Sequence, residues 1–227
     1  MEKLVKCFMD QDYEGKHTLL IYNNSEIPQS LCRELENGSS NKQVILINNC
    51  INLKTYKPYI NLGSIYNDIL FFVREAVHEG RINPQIVNHM DDDDTFLPNH
   101  ISEGVKGYLK AGKLAYKPLQ SYYKSTKDMV LATNVLEPSI FVNYAYLATA
   151  GYWDRNVDLH HRWLQPLIDG GEIVAAEDGT PTFIYDWSAN IPTWKTSGDP
   201  HNPNNFSNYE RYSQDNGDLI ITPKIPS

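Results

Sequence analysis

Two short apolar runs, each closed by an Asn pair, constrain the fold of this chain more than anything else in its sequence. Leu19-Leu20-Ile21-Tyr22 runs into Asn23-Asn24, and Val44-Ile45-Leu46-Ile47 runs into Asn48-Asn49. A short, nearly continuous apolar run that ends in turn residues reads as a buried strand. Helical spacing surrounds these runs. Residues 4–9 place Leu4, Val5 and Phe8 on one face, and residues 64–77 carry Ile65, Ile69, Leu70, Phe72, Val73 and Val77, with Gly80 as a stop. Residues 84–90 read as a third strand and 101–111 as a further helix. Helix and buried strand in alternation predict a parallel α/β sheet flanked by helices.

The second half is less regular. Strands are expected over residues 114–123, 129–133 and 182–185, and helices over 140–150 and 159–168, the latter closed by Gly170-Gly171 and disturbed by Pro166. A weak short helix over 27–35 and a loop at 37–40 complete the reading. From Ser188 onward Pro, Asn, Ser and Gly dominate, so residues 188–227 read as an extended tail or lid. Residues 1–187 then form the domain, in two halves over 1–98 and 99–187.

Composition narrows the function classes. A net charge of −8 with no basic stripe argues against a duplex nucleic-acid partner. An acidic protein still binds an anionic nucleotide where a divalent cation stands between them. Cys7, Cys32 and Cys50 are too few and too widely spaced for a disulfide framework or a zinc cluster, which fits a reducing cytoplasm. No run is long enough for a membrane span, and the first residues lack the apolar core of a signal peptide.

The chemistry concentrates at Asp91-Asp92-Asp93-Asp94. A charge run is most often a solvated turn. This one directly follows the apolar Ile86-Val87 strand and is followed by Thr95-Phe96-Leu97-Pro98, which should return to the core. Ends of strands are where open α/β sheets place ligands. Crowded carboxylates there suit a hard cation, Mg2+ or Mn2+, held by one or two carboxylates and by substrate phosphate. On an extended segment alternate residues face one way, so Asp91 and Asp93 are expected on a common face. Asp92 and Asp94 would then point elsewhere, to a ribose or a backbone cap.

At these residues a family is recognisable. His89-Met90-Asp91-Asp92-Asp93-Asp94-Thr95-Phe96-Leu97-Pro98 resembles the DxD region of family 2 glycosyltransferases, which have the Rossmann-related GT-A fold with a mostly parallel central sheet. Cys7-Phe8-Met9-Asp10-Gln11-Asp12-Tyr13, followed by Leu19 to Asn24, is similar to the family's opening stretch. Gly63-Ser64-Ile65-Tyr66-Asn67 resembles its GxxxN helix start, and Gly151-Tyr152-Trp153-Asp154, with Asp158 and Trp163-Leu164, resembles its acceptor-side block. The motifs follow in family order over roughly residues 3–187.

The resemblance implies an inverting, hexosyltransferase-like transfer of sugar from a nucleotide-diphosphate sugar, UDP-sugar favoured, to the hydroxyl of a glycan or other acceptor. Asp93 would bind the metal directly, and Asp91 the ribose or metal-bound water, with Asp92 beside the nucleotide. Asn23 or Asn24 would meet the base, and Asn67 the nucleotide. His201 in the tail would be a further metal ligand. The general base would be Asp158, preceded by Val157 where the family has Glu. Asp158 is equally well placed to cap the helix that follows. Trp153 and Trp163 are candidates for sugar stacking or for the core, and His160 and His161 for surface or core positions.

One departure bears on activity. The family opens with a central strand ending in a PTYN-like turn, whereas here Met1 stands at the helix that should follow it. A gap at a sheet centre leaves neighbouring backbone unpaired. The expectation is reduced or absent activity, with another segment or another chain filling the gap; a homo-oligomer is a further expected partner state. Two other function classes stay open: a non-catalytic GT-A-like nucleotide- or sugar-binding module, and a structural protein with a solvated acidic loop.

Overall fold

A computed structural model describes residues 1–30, 41–124, 129–134, 137–155 and 159–186. The loop expected at 37–40 and the arm from Ser188 lie outside the described residues, as does the end of the helix expected over 27–35; its described part, residues 27–30, is not helical. By contacts the chain forms two units that interleave along the sequence. One joins Glu14–Gln85 to Asn143–Asp169; the other joins Met1–Tyr13, Ile86–Val142 and the chain from Gly170 onward.

In the first of these units the two apolar runs are strands β1 (His17–Asn23) and β2 (Lys42–Asn48), paired in parallel from His17↔Lys42 to Asn23↔Asn48. Leu19, Ile21 and Val44 are buried. The Asn residues at the strand ends act as clasps: Asn23 Nδ2 donates to Asn48 Oδ1 at 2.8 Å, and Asn48 Oδ1 also accepts from the Gln29 amide at 2.8 Å. Helix α2 (Leu62–His78) starts where Asn61 Oδ1 accepts from the Ser64 amide at 2.8 Å. Gly80, at φ +70, follows its end in the left-handed region where glycine is favoured.

Two more helices complete this unit. Helix α4 (Tyr144–Ala150) is capped by Asn143, whose Oδ1 accepts from the Tyr146 amide at 3.0 Å. Helix α5 (His161–Asp169) buries Trp163 and Leu167 and contains Pro166, which lacks the amide that would bond the Arg162 carbonyl. Trp163, at 1% exposure, belongs to the core.

The other unit contains helix α1 (Glu2–Met9), whose Leu4, Val5 and Phe8 are buried as their spacing predicts, and helix α3 (His100–Ala111). Its strands are β3 (Ile86–Asn88), β4 (Thr95–Phe96), β5 (Ala115–Pro118), β6 (Gln120–Lys124), β7 (Met129–Thr133), β8 (Phe141–Asn143), β9 (Ile173–Ala176) and β10 (Phe183–Asp186). They form two four-stranded sheets, ordered β4-β10-β6-β7 and β3-β8-β5-β9. Parallel pairs (β10–β6 and β5–β9) share these sheets with antiparallel ones (β4–β10, β6–β7 and β5–β8).

Three expectations are corrected here. The strand expected over 114–123 is two strands broken at Leu119, whose amide donates to Ala176 O at 2.8 Å and whose carbonyl accepts from Asn134 N at 2.7 Å, so the chain passes from one sheet into the other. The helix expected over 140–150 begins as strand β8. Phe141 and Val142 are too deeply buried and too well matched to Tyr116 and Ala115 to start a helix, and Asn143 starts it instead. Strand β9 was not foreseen; it is only four residues long and pairs in parallel with β5. Helix α3 rests on these strands through two glycines. A Cβ on Gly104 would lie 2.0 Å from the Phe141 ring, and one on Gly107 2.1 Å from the Tyr116 ring.

Candidate functional site

Strand β3 is short, and side chains rather than a long ladder hold its end. Asn88 Nδ2 donates to Pro138 O at 2.7 Å and to Ile140 O at 3.1 Å. Asn88 Oδ1 lies 3.0 Å from His100 Nε2, and His100 Nδ1 lies 2.9 Å from Thr182 Oγ1. Burial lowers the His100 pKa to about 3, so the ring is neutral. An amide oxygen only accepts, so Nε2 carries the proton and Nδ1 accepts from the Thr182 hydroxyl. Gln11 ties the far side. Its Nε2 donates to Cys7 O and Leu97 O, both at 2.9 Å, and its Oε1 accepts from the Ile101 amide at 2.9 Å. The Cys7–Gln11 stretch and the segment after the acidic run, far apart in sequence, therefore meet on one buried side chain.

Between these ties the four carboxylates form a turn, not the extended segment expected from the sequence. Asp92 is exposed and lies 3.8 Å from the Met1 amino group. Asp94 is 2% exposed, and its Oδ1 accepts from the Asp186 amide at 2.9 Å. Lys3 Nζ donates to the Asp93 carbonyl at 3.0 Å. Asp91 and Asp93 are partly buried. The turn thus sorts the run into one solvated, one structural and two half-buried carboxylates.

The electrostatics single out Asp91. Burial pushes its pKa up to about 7; nearby His89 opposes the rise, while Glu137, Asp93 and Asp92 add to it. His89 Nδ1 sits 3.0 Å from Glu137 Oε1. Burial works against its charged form, but the charge and hydrogen bond of Glu137 prevail and raise its pKa. Among the described residues, no group of three or more His, Cys, Asp or Glu is disposed to hold a metal. The described residues by themselves form no closed metal cage. Asp91 and Asp93 are both half-buried, and a cation held by them would need ligand oxygens to complete its shell. Glu137 has no sequence signal of its own, because a 3-10 turn at Glu137–Ser139 brings it to His89.

In the other unit the GxxxN and Gly-Tyr-Trp-Asp motifs clasp each other. Asn67 Nδ2 donates to Tyr152 O at 3.0 Å and to Asp154 Oδ1 at 3.3 Å, and Asn67 Oδ1 accepts from the Tyr152 amide at 2.9 Å. Gly63 N donates to Arg155 O at 3.1 Å, and a Cβ there would lie 1.8 Å from Trp153 O. Only glycine admits that approach. Asn67 is thus occupied in holding the 152–154 segment. Asn23 is similarly engaged, with Ile27 O, Asn48 Oδ1 and the Ser25 amide, while Asn24 is exposed. Trp153 is 40% exposed, with the Arg155 guanidinium 3.9 Å over its ring. The expected base Asp158 and the expected metal ligand His201 lie outside the described residues.

No protein-family model matches the chain, and no curated protein does. Solved structures do. Residues 1–349 of TarS from S. aureus, in complex with UDP, superpose with a TM-score of 0.56 at 11% identity, over 82% of this chain and 56% of that one. TarS 1–349 in a second structure gives a TM-score of 0.55 at 10% identity, with the same coverage. The chain therefore spans just over half the length of the TarS chains it matches. At such identity the likeness establishes the fold, and the chain has the α/β, GT-A-like fold expected of it. No described helix is long and apolar enough to cross a membrane.

Proposed function

We propose that this chain transfers a sugar from a nucleotide-diphosphate sugar, a UDP-sugar in the first instance, to an acceptor hydroxyl with inversion. The observation that carries the proposal is the fold shared with TarS, whose structure contains UDP. The acidic turn supports it. Asp91 and Asp93 would hold Mn2+ or Mg2+, which when bound neutralises charge on the leaving diphosphate. Asp92, solvated at the tip of the turn, is free to meet the nucleotide. Asp94 and the Gln11, Asn88 and His100 contacts keep the turn in place before ligand arrives, which is the preorganisation that catalysis by positioning needs. Asp158 is the proposed base that takes the acceptor proton.

Calorimetry with UDP and UDP-sugars, with and without Mn2+, tests the reading. Metal-dependent binding that Asp93→Ala abolishes is the expected result. Asp158→Asn should keep binding and lose transfer. Absence of nucleotide binding under both conditions refutes the proposal, and binding without transfer by the unaltered chain reduces it to a non-catalytic module.

A further inference from the structure

A cleft within the unit formed by Glu14–Gln85 and Asn143–Asp169 carries charge of the opposite sign to the chain as a whole. The chain has a net charge of −8, yet Lys54, Arg74 and Arg162 line this cleft against only Asp68 and Asp154. Lys54 and Arg74 are exposed and make no ion pair among the described residues. Arg162 donates through Nη1 to Tyr152 O at 3.0 Å, which holds the head in place and leaves its other donors open.

The rest of the lining is ordered by the protein itself. Asn52 is 8% exposed; its Oδ1 accepts from the Lys54 and Thr55 amides at 3.0 and 2.9 Å, and its Nδ2 has no partner among the described residues. Asp68 is 7% exposed, and its Oδ2 accepts from the Leu53 amide at 2.8 Å and from the Tyr59 hydroxyl at 2.6 Å, which leaves Oδ1. Asp154 is fixed by Ser64 and Asn67 through Oδ1 alone, at 3.4 and 3.3 Å. Three cations with open donors match the oxygens of a phosphate. Carboxylate oxygens with open lone pairs in the same cleft match hydroxyl donors. A simple anion would use the first set and be repelled by the second.

We infer that this cleft binds a phosphate-bearing polyhydroxylated ligand of the sugar phosphate class, with Lys54, Arg74 and Arg162 on the phosphate and Asp154 on a hydroxyl. None of the lining residues belongs to the unit that holds the acidic turn.

The test is calorimetry on the full chain with glucose 6-phosphate, inorganic phosphate and glucose as probes. Glucose 6-phosphate should bind at least fivefold more tightly than inorganic phosphate, glucose should not bind measurably, and added salt should weaken both anions. The double variant Lys54→Gln/Arg74→Gln should weaken both anions at least tenfold. Asp154→Asn should bring glucose 6-phosphate down to the level of inorganic phosphate. Should the double variant lose its melting transition, the two single exposed-site variants carry the same test, each with a smaller loss. Asp93→Ala, which would remove metal-dependent nucleotide binding, should leave glucose 6-phosphate binding intact; a parallel loss refutes a separate site. Equal affinity for glucose and its phosphate, or anion binding indifferent to Lys54 and Arg74, overturns the inference.

Discussion

Asp91→Asn should make the protein more stable, and by an amount that grows with pH. In the folded chain the Asp91 carboxyl titrates at about 7, against 3.8 ordinarily. A carboxyl raised on folding favours the folded state at low pH, and that advantage is lost as pH climbs from the unfolded to the folded pKa. The gap is about 3 units, which at about 1.4 kcal/mol per unit sets a ceiling of roughly 4 kcal/mol. Asparagine has the shape of the protonated acid and never ionises. Its advantage over the unaltered chain should therefore be under about 1 kcal/mol at pH 4.5 and about 2–4 kcal/mol at pH 8. Urea unfolding followed by tryptophan fluorescence at the two pH values reads the difference from the midpoints and slopes. Saturating Mn2+ should narrow the gap at pH 8, because a cation bound only by the folded, carboxylate form adds about 2.7 kcal/mol at a hundred times its dissociation constant. An advantage equal at both pH values, or a loss of stability at pH 8, would refute the assignment of strain to Asp91.

Three further substitutions probe the supports. Gly63→Ala would place a Cβ 1.8 Å from the Trp153 carbonyl; the 152–155 segment must retreat, and losing several hydrogen bonds of about 1 kcal/mol each should lower the melting temperature by about 10 °C in a thermal scan. Gln11→Leu leaves the partners at Cys7, Leu97 and Ile101 without its side-chain amide, a loss of about 3 kcal/mol or more by urea titration. Lys117, 4% exposed, has its pKa lowered to about 7 by burial. A lysine depressed on folding binds fewer protons in the folded state, so the chain gains stability as pH rises from 7 towards 10.5. Lys117→Met removes that dependence, and its advantage over the unaltered chain should shrink by about 2 kcal/mol between pH 6.5 and pH 9; an unchanged difference excludes the buried ammonium as the cause.

What was legible in the sequence followed local periodicity. Strands β1 and β2 and helices α1, α2 and α3 each carry their own signal in a run or a repeat, and each stands within a few residues of its expected place. What was missed depends on partners distant in sequence. Residues 140–143 have helix-compatible residues, but Phe141 and Val142 are claimed by β5. Strand β9 is four residues of Ile-Val-Ala-Ala that become a strand by lying beside β5. The break at Leu119 follows a proline and joins two sheets, which no single-strand pattern encodes.

The acidic run shows the same limit within a single site. Its place after a strand was readable, but the expectation that alternate carboxylates share a face assumed extended backbone. Four adjacent like charges on an extended strand would all remain close to the sheet. A turn lets Asp92 reach solvent and gives the buried Asp94 an amide donor from Asp186. That burial persists in Asp91, and neighbouring contacts hold it. The neutral His100 bridges Asn88 and Thr182, Gln11 anchors Leu97 and Ile101, and Glu137 raises the pKa of His89 near Asp91. Each contact is ordinary in strength, and together they fix a carboxylate where local electrostatics alone would expel it. Local rules are broken most often at functional or strained sites, and the raised pKa of buried Asp91 is such a break.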